Sequence, residues 1–452
     1  MPAQRSLTID HHRLLQQFLS MEDYPQIIER SYAVLTQLYQ LGQLASSEAE
    51  TAKLTERMHV MATSPVSDKF MSIPHPARSF DMGMPMSVHA VYGEFFPSIV
   101  KSCFYDAISP ASIDMLAVLI KESPDLRSAY PRFSRLLDTV GTGSLFTLLY
   151  PFQHMITKAP TFTFTQETCR EVATMDISRS IDTSFMHPPA SLVYFHLEDS
   201  LGLTVHDAAT GYHELDGFYI SESDHTQHPY DFDEATLDAL GLDSSLPYRM
   251  VSCVFVGKPK EVMANDTLTK IDCFLQDGLS IEEMIRRTVL WYEGNVDVVT
   301  TTPYLGEMKN FSLHPDDNKE IQVVHNVRLL QVAINFMAYL NFAQFRRSEI
   351  KARSVIESSI TKKAAKNQKK AAKKLNGLSD QIIIRTTSTL FGGRGSAESG
   401  YKVSPHVRRA FLRNQRYGSG DDVHYKPKFI AATTVAQGDK DAPVSKQYTV
   451  KK

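Results

Sequence analysis

The stretch SPHVRRAFLRNQRYGSG, from Ser404 to Gly420, gathers His406, Arg408, Arg409, Arg413 and Arg416 in a chain of net charge −3. Arginine suits phosphate, because its planar guanidinium donates two parallel hydrogen bonds and is weakly hydrated. Tyr401, Phe411, Tyr417 and Tyr425 interleave with these charges. Aromatic rings among arginines suit single-stranded RNA, whose unstacked bases lie flat against them. His406 could serve as an acid or base on a phosphate ester. A nuclease would also need a second acid/base group or metal-binding carboxylates. Only Asp421 and Asp422 lie close by, and a loop explains them equally well.

The positive charge is regional. From Lys351 to Gly420 there are 16 lysines and arginines against three acidic residues, about +13, which leaves about −16 for the rest of the chain. Lys362, Lys363, Lys366, Lys369, Lys370, Lys373 and Lys374 form a second basic run upstream of the arginines. Such asymmetry points to a phosphate-seeking module on an acidic body. The plainer alternatives are a solvated basic helix, or a helix docked on the body by ion pairs.

Other chemistry is sparse. Asp224, His225, His228, Asp231 and Asp233 could bind a metal, but their segment reads as a polar loop and no metal site is assigned. The glycine-rich FGGRGSAESG lacks the GK[ST] of a phosphate loop. No GxSxG, HExxH or paired-carboxylate signature occurs, and no cofactor is expected. Cys103, Cys169, Cys253 and Cys273 are widely separated, as befits reduced, buried thiols in a cytoplasmic protein.

Ser404, Pro405 and Gly418 fit N-cap, N1 and C′ of a helix that would hold these residues. That helix would carry His406, Arg409, Arg413 and Arg416 on one face. An extended chain would instead send Arg408 and Arg409 to opposite faces. Upstream, TFTFT, PPASLVYFHL, GFYIS and YRMVSCVFVG predict strands. LSIEEMIRRTVLWYE predicts a helix with a capping box of Ser280 and Glu283. The run EIQVVHNVRLLQVAINFMAYLNFAQFRR is apolar nearly all round and predicts a helix central to the core.

With 452 residues and 42% hydrophobic content, the chain can bury a sizeable core and exceeds one domain. The expected class is α+β. A helical N-terminal domain (1–150) precedes an α+β partner-recognition domain (151–350) with an antiparallel-leaning sheet and packed helices. A basic helix or linker (351–376), a basic C-terminal α/β module (377–438) and a disordered tail (439–452) follow. No apolar run is long enough to span a membrane, and the N-terminus lacks a secretory apolar core.

The basic stretch, followed by YKPKFIAATTVAQG, resembles a family carried by phages and plasmids. It is the family of the type V-A anti-CRISPR protein that suppresses production of the type V CRISPR effector nuclease. His406, Arg408, Arg409, Arg413, Gln415, Tyr417 and Gly418 agree with the family pattern. Ala410 stands where glycine is usual and Phe411 where a second histidine is usual, which favours binding over a His-pair catalytic scheme. PPASLVYFHL, HNVRLLQVAINFMAYL and the lysine-rich run before QIIIRTTSTLF follow in the family's order. The resemblance implies a regulatory protein of a mobile element, acting in the bacterial cytoplasm. It would sense a nascent peptide of the effector and contact RNA or the ribosome, lowering the effector's messenger RNA. His406, Arg408, Arg409, Arg413, Gln415, Arg416, Tyr417 and the seven lysines would be the contact residues. The alternatives are an RNA-directed nuclease using His406, or a structural protein of a phage or plasmid.

Overall fold

The computed structural model describes residues 47–82, 124–129, 150–177, 181–224, 234–294, 319–351, 379–387, 406–419 and 422–435, with a few single positions added between these segments and a few missing within them. Among the described residues the architecture is mixed α/β, built on one large sheet. In chain order its strands are β1 (Thr161–Phe164), β3 (Leu192–Leu197), β4 (Thr204–Asp207), β5 (Gly211–Asp224), β6 (Arg249–Gly257), β7 (Thr267–Leu275), β8 (Phe345–Lys351) and β9 (Asp380–Thr386); β2 (Asp176–Ile177) lies outside it. The spatial order is β7-β6-β5-β3-β1-β9-β8, with β4 paired to β5. Among the described strands of this sheet only β1 with β3 and β1 with β9 run parallel, so the antiparallel leaning expected from the sequence is present.

Period-two alternation sorts the sheet's side chains to two faces. Phe162 and Phe164 of β1, Phe195 of β3, Phe218 of β5, Phe255 of β6 and Ile271 of β7 join one apolar core. The long helix α8 (Lys319–Phe342) lies on this face. Its Phe336 ring sits 4.6 Å from that of Phe164 and 5.9 Å from that of Phe218. The all-round apolar pattern is thus explained, because α8 is buried between the sheet and flanking elements. Burial of each such ring contributes about 1.5–3 kcal/mol.

The other helices in chain order are α1 (Glu48–Thr63), α2 (Asp68–Met71), α3 (His75–Asp81), α4 (Pro124–Ala129), α5 (Gln166–Ala173), α6 (Glu234–Ala239) and α7 (Ile281–Gly294). Asn335 of α8 donates from Nδ2 to the carbonyls of Val172 (3.0 Å) and Met175 (3.1 Å), at and just past the C-terminal end of α5. At the start of α7 the Glu283 amide donates to Ser280 Oγ at 3.2 Å, as the capping box requires. The Glu283 carboxylate turns instead to Arg286 and Arg287, whose hydrogen bonds hold it down to about 2. Only half of the box is formed.

The helix expected across 404–418 is not formed over its described residues, 406–418. The chain there makes β10 (His406–Arg408) and β11 (Phe411–Tyr417), which pair with β13 (Thr433–Val435) and β12 (His424–Ile430) respectively. The local capping signals are outweighed because the extended form gives a seven-residue ladder with β12 and lets Leu412 and Phe429 reach the core. Gly418, read as a helix stop, serves the hairpin turn. Its φ is +83°, and a Cβ there would meet Asp422 O at 1.8 Å.

Candidate nucleic-acid interface

The hairpin of β11 and β12 is seated at one end and free at the other. Leu412 and Phe429 face each other across it, and the Phe429 ring meets Tyr339 of α8 edge-on at 5.6 Å. The adjoining β2 adds a short parallel strand beside Phe411 and Leu412. Buried Ala410 accepts a backbone hydrogen bond from Asp176 at 3.0 Å. Toward the turn the side chains leave the core, and Tyr425 is 62% exposed.

Alternation along β11 puts Phe411, Arg413, Gln415 and Tyr417 on one face. The register sets Arg413 opposite Lys428, Gln415 opposite Lys426 and Tyr417 opposite His424. Tyr417 and His424 are stacked, with centroids 5.9 Å apart and planes 18° apart. Arg413 lies over the Phe411 ring at 5.9 Å. Arg413, Lys426 and Lys428 are exposed, and among the described residues neither they nor Arg416 form an ion pair. Like charges directly opposite on a ladder destabilise it. An arginine facing a lysine, with a second lysine beside them, is therefore a poor surface for folding and a good one for a polyanion.

The strand geometry redistributes the residues singled out in the sequence. Arg413, Gln415 and Tyr417 are brought together on one face, while Arg416 sits on the other, opposite Tyr425. The single arginine stripe that also included His406 and Arg409 does not exist. His406 and Arg408 belong to β10, in a separate two-stranded sheet, and Arg409 is exposed in the link to β11. Lys362, Lys363, Lys366, Lys369, Lys370, Lys373 and Lys374 lie outside the described residues, as do His225, His228, Asp231, Asp233 and Cys103. Sequence reading missed Lys426, Lys428 and His424. The alternation Tyr425, Lys426, Pro427, Lys428, Phe429 carried that signal, since period two places both lysines on one face.

A second cluster of chemistry-bearing groups went unread in the sequence. It fills the sheet's other face, beneath α3, whose seven residues are all buried. Arg78 donates to both oxygens of Asp216 at 3.1 Å, and the Tyr194 hydroxyl donates to the same carboxylate at 2.6 Å. His75 joins Tyr219 Oη at 2.7 Å and Asp266 at 3.1 Å. Burial alone would raise the Asp216 carboxyl, but the Arg78 charge and hydrogen bonds outweigh it and hold it at about 2. Burial pushes His154 down to about 4 and also lowers His196.

A local irregularity aims Asp216 at Arg78. The β5–β6 register slips between Leu215 and Gly217, so that Leu215 joins the apolar core while Asp216 turns to the polar face. Gly217 is needed beside it, because a Cβ would meet Phe195 O at 2.1 Å. With both charges fully buried and bonded to each other, this cluster acts as a clamp tying α3 to the sheet. The buried Cys169, Cys253 and Cys273 are likewise not reactive: burial raises each thiol, Cys169 and Cys273 to about 12. No group of three or more His, Cys, Asp or Glu among the described residues is placed to hold a metal ion. No described helix is long and apolar enough to cross a membrane.

Comparison with known proteins adds three findings. The family model AcrVA2-like, the anti-CRISPR type V subtype A2 family, matches residues 162–437, more than half of the chain. Among curated proteins nothing matches. The crystal structure of AcrVA2 aligns with 72% of this chain and 85% of its own, at 12% identity and a TM-score of 0.37.

Proposed function

The chain belongs to the anti-CRISPR type V subtype A2 family, and from that premise we propose that it lowers the messenger RNA of a type V CRISPR effector by recognising a protein or nascent peptide and contacting RNA. Family membership supports an anti-CRISPR function and an engagement with CRISPR machinery. The RNA contact is assigned to the β11–β12 hairpin. The observation that carries it is the cation trio of Arg413, Lys426 and Lys428, without an ion pair among the described residues, beside the stacked Tyr417 and His424. A phosphate chain laid along this face neutralises like charges that otherwise repel, and the rings take the bases. Arg416 and Tyr425 offer a second cation and ring on the opposite face. The product would belong to a phage or plasmid, and the partner domain would lie within the main sheet and its helices.

A filter-binding titration of the purified chain with single-stranded RNA at two salt concentrations tests the contact. Affinity should fall steeply with salt, and the RNA should stay intact. Salt-insensitive binding, or none, defeats the assignment. Cleavage lost in His406→Ala would move the function to the nuclease reading.

A further inference from the structure

Strand β8 ends the main sheet, and no described strand pairs with its outer edge. Arg346, Arg347, Ser348, Glu349, Ile350 and Lys351 are all exposed, and Ile350 retains 46% of its surface. Such an edge offers a row of free backbone donors and acceptors, and proteins commonly guard it with charged side chains, lysine above all. This edge alternates in sign instead. Arg347 pairs with Glu349 at 2.7 Å along the strand, and Lys351 stands 3.5 Å from Glu349.

We propose that β8 is a self-complementary docking edge, at which a second copy of this chain adds its own β8 antiparallel about a two-fold axis through Ser348. In that register Arg347 of each copy faces Glu349 of the other, and Ser348 faces its own counterpart. Arg346 lies opposite Ile350, where its aliphatic stem covers the exposed side chain. The register is selective. Among pairings that keep the two faces of the sheet continuous, a shift of about two residues in one direction sets Arg347 against Arg347. The same shift in the other direction sets Glu349 against Glu349. Symmetry of this isologous kind is the commonest route to a dimer. A seven-residue strand buries little area, so the association is weak and depends on concentration. An edge that must be matched charge for charge also excludes foreign apolar strands, which is why the sign alternates.

Sedimentation velocity of the full chain over a concentration series tests the proposal. Wild type should shift from monomer to dimer into the high-micromolar range. Arg347→Glu and Glu349→Arg should each lose the dimer, because each sets like charges opposite. An equimolar mixture of the two variants should recover it, since every cross-edge pair is then complementary. Both side chains are exposed and their mutual ion pair is a surface one, so the fold should tolerate the changes, with circular dichroism as the check. A wild type that stays monomeric overturns the proposal, as does a dimer that survives in both variants or a mixture that stays monomeric. Ser348→Cys gives an independent reading. Mild oxidation should yield a covalent dimer of the folded chain, because the native cysteines described are buried, and failure to cross-link at dimer-forming concentrations counts against the register. Capture of an unrelated strand instead, seen as a heterologous complex with no self-association, also overturns it.

Discussion

Two arginines of this chain show how burial decides what a guanidinium does. Arg78 is sealed against Asp216, so removing one partner strands the other charge in a dry interior. Asp216→Asn should destabilise the fold by about 3–5 kcal/mol, read as a drop in urea midpoint with little change in slope. Arg413 is exposed and opposite Lys428. Arg413→Ala should leave the melting temperature unchanged or slightly raised, and should lower the salt slope of RNA binding by about 1. If Arg413→Ala instead melts early, the residue is structural and the RNA face is wrongly placed. The buried layer also sets a pH dependence. His154 is held near 4, below its usual 6.5, so between these values the unfolded chain binds a proton that the folded chain refuses, and stability falls as pH drops. Asp216, held near 2 below its usual 3.8, contributes stability that is present above its usual value and lost as pH falls toward 2. Urea midpoints should therefore decline in two steps on acidification, and His154→Gln should shrink the first to the part carried by His196, which burial also lowers.

At the scale of elements, the hairpin works because one end is anchored. Leu412 is 1% exposed, and Leu412→Ala should cost about 2–5 kcal/mol. Proteolysis should show the β11–β12 hairpin released before the main sheet opens. The N-cap of α7 is a smaller contributor, and Ser280→Ala should cost about 0.5–2 kcal/mol. The strand assignments of TFTFT, LVYFHL and RMVSCVFVG were legible because alternation or a continuous apolar run leaves few other ways to bury those side chains. The long helix was legible for the same reason. The element at 404–418 was not. Its Ser, Pro and Gly are good caps for a helix and good turn residues for a hairpin, and local preferences of a few tenths of a kcal/mol per residue cannot arbitrate between them. The choice was made by β12, since pairing with it carries Leu412 and Phe429 into the core.

At the scale of the whole molecule, β9 enters the sheet beside β1, and Gln381 accepts a hydrogen bond from Thr163 at 2.7 Å across 218 residues of sequence. The candidate RNA face then depends on the same body, because Phe429 rests on Tyr339 of α8. Salt should accordingly weaken RNA binding far more than it weakens the fold. A titration monitored for both, by filter retention and by melting, separates the exposed cations from the buried Arg78–Asp216 pair.

The sequence by itself determined the mixed α and β character, the central buried helix, the concentration of positive charge near the C-terminus, and the family resemblance carried by His406 to Gly418. These follow from composition, short-range periodicity and motif, which act within a few residues. The tertiary structure alone decided which cations share a face, that Lys426 and Lys428 join Arg413, and that Arg78 and Asp216 meet 138 residues apart in a buried clamp. Those outcomes depend on strand register and on one bulge at Asp216. Both are set by how distant apolar side chains fill a common core, and no local preference in the sequence encodes them.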